Sequence, residues 1–390
     1  MLGLVNFSVG VIGAGQLARM LAQPAIGLGI TMKLLAEGEG MSANPVYSDV
    51  RIGDYTDEQA VIDFAKIVDV LTFDHEHVPT SLLRQLQAMG NKVCPGPDAL
   101  VYAQDKLAMR QRLTKTLDAP APRWRHCEGA DELRQFGDEI GWPIIAKASR
   151  GGYDGHGVWK ISDPGHVNVP FDESLDVSAG EKVEIIGEEL VDFSRELSAI
   201  VARTPSGQAV AYPISETIQK NGVCAQTITP APGLSAEQAI NITRLALDIA
   251  DDLGVVGLLA VELMQRKDGS VVVNELAMRP HNTGHWTIDG AHTSQFENHL
   301  RAICDLPLGD PSARAKWTVM TNVLGGGDLT SGLLHLFSRD PQLRVQLYGK
   351  ESRPGRKLGH VTCYGDDLED VRARSEEAAE YLMTKTNLEE

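Results

Sequence analysis

A short apolar run, Ser8–Ile12, is followed by Gly13-Ala14-Gly15 and then by apolar residues at helical spacing over 16–26. Residues 32–36 repeat the strand-like run, 57–67 repeat the helical spacing, and 68–73 supply a third strand. Short apolar strands alternating with helices predict a parallel sheet with right-handed crossovers. Residues 103–117 read as one charged helix, and Ala119-Pro120-Ala121-Pro122 behind them as a boundary.

From Trp142 the texture changes. Residues 143–148 read as a strand that runs into a glycine-dense loop, 149–157, and returns as Val158–Ile161. Further strands are expected at 197–203 and 209–214, and a long helix at 235–253. Residues 258–264 and 271–276 flank Lys267-Asp268-Gly269-Ser270, where Asp-Gly predicts a two-residue hairpin turn. Trp317–Leu324 is strand-like, and an acidic helix is expected near 366–385. The chain therefore reads as α/β at its start and α+β beyond, and its 390 residues suggest two or three domains.

Composition narrows the function classes. Apolar content of 43% and charged content of 23% suit a soluble globular protein. With 36 Lys+Arg against 53 Asp+Glu, the net charge of −17 argues against a general nucleic-acid or acidic-membrane binder. An anionic small substrate stays open, because local charge can oppose the global sign. Five scattered cysteines, none spaced C-x-x-C, favour a reduced cytoplasm over a disulfide framework or a zinc knuckle. No uninterrupted apolar run is long enough for a membrane-spanning helix.

Five features carry candidate chemistry. Gly13-Ala14-Gly15-Gln16-Leu17-Ala18 fits G-x-G-x-x-A, with Glu37 downstream where it could meet a ribose hydroxyl. That pattern suits a dinucleotide, a phosphate-bearing substrate or a structural turn. The 149–157 loop can fold its N–H groups over phosphates, with Lys147 and Arg150 adding positive charge. It lacks the Walker ending, and the alternative is a flexible hairpin tip.

Glu262 and Glu275 are equidistant from the Asp268-Gly269 turn and so should face each other, Cβ atoms about 5 Å apart. Two such carboxylates need a cation, and with Asn274 they suit magnesium bridging nucleotide phosphates. The alternative, a solvated strand face, fits poorly with the apolar Val261, Leu263, Val273 and Leu276 around them.

Arg279-Pro280-His281-Asn282-Thr283-Gly284-His285-Trp286 is dense in donors for a small oxyanion such as carbonate. His281 and His285 lack a third zinc ligand at helical spacing. Lastly, Arg339, Arg344, Lys350, Arg353, Arg356 and Lys357 form a basic island, either a solvated run or a phosphate pocket on turns.

Taken together, the phosphate loop with its upstream Lys147, Glu188-Glu189-Leu190-Val191, Glu196 and a carboxylate hairpin ending in Asn274-Glu275 resemble an ATP-grasp ligase. More narrowly, four blocks are similar to the 5-(carboxyamino)imidazole ribonucleotide synthetases of purine biosynthesis. They are Arg150-Gly151-Gly152-Tyr153-Asp154-Gly155, Arg195-Glu196-Leu197-Ser198, the 279–285 segment, and Tyr348-Gly349-Lys350 with Arg353-Pro354-Gly355-Arg356-Lys357. The likeness runs from Gly13 almost to the C-terminal helix. Met278 stands where the family usually has Pro, and Gln219 where it usually has a His near the nucleotide.

The resemblance implies an ATP-grasp fold with a Rossmann-like pre-ATP-grasp domain over 1–112. The ATP-grasp domain would span 113–312, its flap about 120–190, and a small C-terminal domain 313–390 would close the substrate site. It implies that ATP, bicarbonate and 5-aminoimidazole ribonucleotide yield the carbamate, ADP and phosphate through carboxyphosphate, in a cytoplasmic homodimer. Magnesium would be held by Glu262, Glu275 and Asn274. Lys106, Lys147 and the loop residues Gly152, Tyr153, Asp154, Gly155, His156, Gly157 and Val158 would hold phosphates, with Gln219 nearby.

Backbone around Glu188, Glu189, Leu190 and Val191 would read adenine, and Glu196 the ribose hydroxyls. Arg279, His281 and Asn282 would hold bicarbonate or carboxyphosphate. Gln16, Leu17, Glu76, Tyr153, Asp154, Lys350, Arg353, Arg356 and Lys357 would grip the ribonucleotide. Competing readings are a formate-dependent glycinamide ribonucleotide transformylase, an NAD-dependent oxidoreductase and a non-catalytic nucleotide sensor.

Overall fold

The computed structural model describes residues 7–151, 156–173, 184–220, 222–325 and 329–384. Its first unit contains β1 (Ser8–Ile12), α1 (Gln16–Leu28), β2 (Thr31–Ala36), β3 (Asp49–Ile52), α2 (Glu58–Ala65), β4 (Val70–Phe73) and α3 (Thr80–Ala88). The four strands are parallel in the order β3-β2-β1-β4, as the strand–helix alternation predicts.

The single helix expected over 103–117 is instead two, α4 (Pro97–Gln104) and α5 (Lys106–Lys115). Asp105 breaks it: its backbone is extended and its carboxylate accepts from Ala108 N at 3.0 Å, an N-cap that competes with helix continuation.

A second, four-stranded antiparallel sheet follows. It is built from β5 (Trp124–Cys127), α6 (Ala130–Ile140), β6 (Ile144–Ala148), β7 (Val158–Ile161), α7 (Val169–Glu173) and β8 (Ile185–Glu189), in strand order β5-β8-β6-β7. Four residues of the predicted phosphate loop, Gly152, Tyr153, Asp154 and Gly155, lie outside the described residues.

The remaining strands join one large sheet. In chain order the elements are β9 (Phe193–Arg203), β10 (Ala209–Ala211), β11 (Ser215–Lys220), β12 (Val223–Thr229), α8 (Ala236–Asp252), β13 (Gly257–Arg266) and β14 (Val271–Ala277). Then come α9 (Thr287–Gly290), α10 (Gln295–Ile303), β15 (Trp317–Leu324), α11 (Leu329–Arg339), β16 (Arg344–Leu347), β17 (Lys357–Gly365) and α12 (Leu368–Thr384). The sheet runs β14-β13-β9-β11-β12-β15-β17-β16, with β10 on β9, so the C-terminal strands extend the central sheet. The strand expected over 209–214 stops at Ala211; Pro213 has no N–H to give a ladder. Helix α8 begins on a capping box between Ser235 and Gln238.

The predicted hairpin forms by a different route. Arg266 N donates to Ser270 O at 2.8 Å, so the loop has three residues, with Gly269 at φ 86°. That alone would shift the register by one. A bulge at Asn274 restores it: Leu263 pairs with Val273, yet Glu262 pairs with Glu275.

The parts share cores. Leu17 and Leu21 of α1 pack with Phe296, Leu300 and Ile303 of α10 and with Tyr348, all buried. The five cysteines are free thiols. Among the described residues no helix is long and apolar enough to cross a membrane.

Candidate active site

Two cavities open between these units and share one wall. The larger, about 880 Å³, lies between the ends of β1 and β4, the start of α5 and the segment after β14. The smaller, about 400 Å³, lies between β6, β8 and the central sheet. Lys106, Glu262, Glu275, His281, Asn282 and Lys357 line both.

The smaller cavity has an apolar side, with Pro122, Ile145, Val158, Leu190, Val191, Phe193 and Met264, and a charged end. At that end Arg110, fully buried, donates Nε to Glu188 at 2.6 Å and its two terminal nitrogens to the carbonyls of Val273 and Asn274, each at 2.8 Å. Lys147 Nζ lies 2.8 Å from the other Glu188 oxygen and 3.1 Å from Asn274 Oδ1. Burial alone would raise the Glu188 carboxyl, but the Arg110 and Lys147 charges hold it down at about 2.

Glu189 is likewise committed, to Arg123 at 3.0 Å and to Arg266. The acidic side chains of the 188–191 segment therefore brace the wall, leaving backbone and apolar groups to face the cavity. Glu196 points into the same cavity, and burial, helped by the charge of Glu262, raises its carboxyl to about 7. Gln219 also lines it, at a register shift between β11 and β12. Of the described loop residues, His156 is exposed, while Gly157, at φ 71°, accepts from Ala148 N at 2.9 Å.

On the shared wall Glu275 pairs with Lys106 at 2.9 Å, and Glu262 with His281 Nε2 at 3.2 Å. Burial opposes ionisation of Glu262, yet the hydrogen bond and charge of His281 keep its carboxyl below the usual range. His281 Nδ1 meets Thr283 Oγ1 at 2.8 Å, which meets Ser198 Oγ at 2.6 Å. Both amide atoms of Asn282 are buried without a protein partner. Arg279 is aimed by Glu76: one carboxylate oxygen takes Arg279 Nε at 3.2 Å and the other takes Met278 N at 2.7 Å. Glu76, expected to grip a substrate, has both oxygens engaged inside the protein.

In the larger cavity the Gly13 turn meets a carboxylate of the chain itself. Asp74 packs on Gly15, where an added Cβ would fall 2.6 Å from Asp74 Oδ2. Burial raises the Asp74 carboxyl against the opposing pull of His75, Arg279 and the N–H groups of Gly15 and Ala18. Glu37 pairs with His75 Nε2 at 3.3 Å. A carboxyl of the chain itself thus crowds the start of α1, its Oδ2 buried without a protein partner, which argues against a dinucleotide there.

Gln16 and Leu17 do line this cavity, and the Gln16 side chain accepts from Lys350. Lys350 reaches the cavity only through Gln16, and Arg353 and Arg356 lie on a turn around Glu351; none of the three is in either lining, whereas Lys357, next along the chain, lines the shared wall.

The comparisons agree with this geometry. Residues 7–104 match the ribonucleotide synthetase preATP-grasp domain, 112–296 the ATP-grasp domain, and 318–374 the phosphoribosylaminoimidazole carboxylase C-terminal domain. The N5-carboxyaminoimidazole ribonucleotide synthase of Mycobacterium tuberculosis is 49% identical over 96% of this chain and 87% of its own length. That of Corynebacterium ammoniagenes is 44% identical over 96% and 92%. The chain belongs to the N5-carboxyaminoimidazole ribonucleotide synthases.

Within that family, the Thermus thermophilus synthetase structure superposes with a TM-score of 0.85 at 31% identity, covering 98% of this chain and 100% of the other. An Aspergillus clavatus synthase, solved with ADP and 5-aminoimidazole ribonucleotide, gives 0.85 at 28% identity, covering 97% and 99%.

Sequence reasoning missed Asp74, Arg110 and Gln295. Arg110 looked like one more charge on a charged helix, and its partner Glu188 is 78 positions away. The glycines at 13 and 15 were the available signal for Asp74, because they mark where another group must come close.

Proposed function

We propose that this chain carboxylates the amino group of 5-aminoimidazole ribonucleotide, using ATP and bicarbonate and releasing ADP and phosphate, as a step in purine biosynthesis. The observation that carries this reading is the wall of six residues shared by two cavities. One cavity has the shape and lining for a nucleotide, and the other has polar walls drawn from both the N-terminal unit and the central sheet. A phosphoryl group leaving the first arrives at the edge of the second.

The geometry supports a division of labour. Adenine takes the apolar side of the smaller cavity, its edge read by backbone of the 188–191 segment, and Glu196 takes the ribose hydroxyls when ionised. Lys147 and Lys106 face the phosphates. Glu262 and Glu275 offer hard oxygens side by side at the phosphate end, which fits magnesium. Among the described residues no cluster of three His, Cys, Asp or Glu side chains forms a closed metal site, so the ion's other ligands would come from phosphate and water. Bound there, magnesium would neutralise phosphate charge.

Arg279, His281 and the unpartnered Asn282 amide would hold bicarbonate. Its oxygen attacks the γ-phosphorus and ADP departs, leaving carboxyphosphate. The ribonucleotide's amino nitrogen then attacks the carboxyl carbon, the C–O bond to phosphate breaks, and the amine loses a proton. Gln16, Leu17 and Lys350 would grip the ribonucleotide, with Arg353 and Arg356 reaching in from their turn for its phosphate. The same reading carries a cytoplasmic homodimer, which sedimentation in solution would check.

The test is ADP release with magnesium, ATP and bicarbonate, with and without the ribonucleotide. The expected result is a large stimulation by the ribonucleotide and stoichiometric carbamate. Release that ignores the ribonucleotide would overturn the reading, and stimulation by formate with glycinamide ribonucleotide would favour the transformylase instead.

A further inference from the structure

The loop carrying His281 and the turn carrying Lys350 are connected inside the protein by four side chains that line neither cavity. Gln295, at the first turn of α10, brackets His281. Its Oε1 accepts from His281 N at 2.9 Å and its Nε2 donates to His281 O at 2.7 Å. Those two bonds fix which end of the amide is which. The 3.1 Å contact between Gln295 Nε2 and His285 Nδ1 therefore makes Nδ1 an acceptor, and His285 carries its proton on Nε2.

The His285 ring lies 5.2 Å from the His360 ring and edge-on to Tyr348 at 6.2 Å. Tyr348 Oη is 2.7 Å from His360 Nδ1. From Tyr348 the chain goes directly to the site: its carbonyl accepts from Ser42 Oγ at 2.5 Å, Gly349 turns over Arg19 at φ 64°, and Lys350 reaches Gln16.

Gln295, His285 and His360 are fully buried and Tyr348 is 1% exposed. A core that only needed filling is served better by apolar side chains, since buried polar groups stabilise only when they are paired. The pairs at the two ends of this group, Gln295 with His285 and Tyr348 with His360, add a fixed geometry here, while the two rings meet only by contact and their Nε2 atoms have no protein partner. We propose that Gln295, His285, His360 and Tyr348 form a positioning strut that sets the His281 loop and the Lys350 turn at one separation. The bicarbonate end and the ribonucleotide end are then aligned by a single buried element. The inference rests on the reading of Lys350 as a ribonucleotide contact given above.

The experiment compares KM for the ribonucleotide and for ATP, together with melting temperature, in Tyr348→Phe, His360→Leu and His360→Asn. Tyr348→Phe keeps the ring and removes the bond to His360. Asn at 360 can place a polar atom near the lost Nδ1, whereas Leu cannot. Tyr348→Phe and His360→Leu are expected to raise the ribonucleotide KM about five-fold or more. KM for ATP should stay within about two-fold, and His360→Asn should recover most of the loss.

Three results would overturn the strut: an unchanged ribonucleotide KM in folded Tyr348→Phe, a His360→Asn variant as impaired as His360→Leu, or KM for both substrates rising together. Lys350→Ala separates the two levels. If it leaves the ribonucleotide KM unchanged, the underlying reading fails and the strut with it. If it raises that KM while Tyr348→Phe does not, only the strut fails.

Discussion

Glu262 and Glu275 face each other across β13 and β14 because Asn274 is the extra residue of a bulge between the pair and the hairpin tip. Without the bulge, the three-residue loop would pair Glu275 with Val261, on the opposite face of the ladder from Glu262; with it, both carboxylates reach the shared wall. Glu275→Gln is expected to reduce ATP turnover at least about 100-fold, with folding intact because relief of the like-charge contact with Glu262 offsets loss of the partly exposed pair with Lys106. ADP release and thermal melting check the two halves. Full turnover would remove Glu275 from the phosphate end.

Arg110 and Glu188 form a buried ion pair at the wall of the smaller cavity. Arg110→Met strips Glu188 of one of its two cations while leaving the carboxylate buried, and should cost about 3–5 kcal/mol. Adding Glu188→Leu should return part of that loss. Urea unfolding of the single and double variants measures both, and a loss under about 1 kcal/mol for the single change would show that solvent reaches the pair.

Glu196 gives a pH signature of opposite sign to an ordinary paired carboxylate. Its folded value, about 7, is raised above the usual one by burial and by Glu262. The folded state therefore binds more protons than the unfolded state between roughly pH 4.5 and 7, and stability from this group is lost as pH rises through that window. Because the side chain is partly exposed, the change is on the order of 1 kcal/mol. Glu196→Gln should flatten it in melting curves taken across the window; an unchanged slope would place the titration elsewhere.

Gly15 leaves room for Asp74. Gly15→Ala would put a methyl group 2.6 Å from Asp74 Oδ2 and displace the carboxylate from the end of α1. The expected outcome is a ribonucleotide KM at least about ten-fold higher with little change for ATP, since Asp74 lines the larger cavity and not the smaller. Steady-state kinetics with each substrate varied in turn would show whether the effect is confined in this way.

Much of the frame is legible in the sequence. Ser8–Ile12, Val158–Ile161 and Trp317–Leu324 have the bounds their apolar runs suggest, and Ser235 starts its helix as a capping residue should. The glutamate pairing is also readable, although through two departures that cancel: a loop of three residues where Asp-Gly predicts two, and a bulge that no local pattern announces. Asp105 as a helix break was missed because the charged residues on either side continue a helical composition.

What remained hidden was long-range. Nothing near Arg110 says that it will be buried against a strand far along the chain, and nothing near Gln295 says that it will bracket His281. The basic island illustrates the same limit. Its residues are close in sequence, yet Lys350 bonds Gln16, Arg353 and Arg356 stay on an exposed turn, and Lys357 goes to the shared wall, because β17 begins there and carries it inward.

That placement of Lys357 has a consequence for the order in which the protein becomes competent. Chains emerge from the ribosome N-terminus first, and contacts between distant segments form late. The strands that line the smaller cavity can be present and paired while the partition between the cavities still lacks a side chain. Only when β17 joins β15 do Lys357 and, three residues on, His360 take their places. A nascent or clipped chain ending before that strand would thus have neither cavity complete, since the wall they share would lack Lys357.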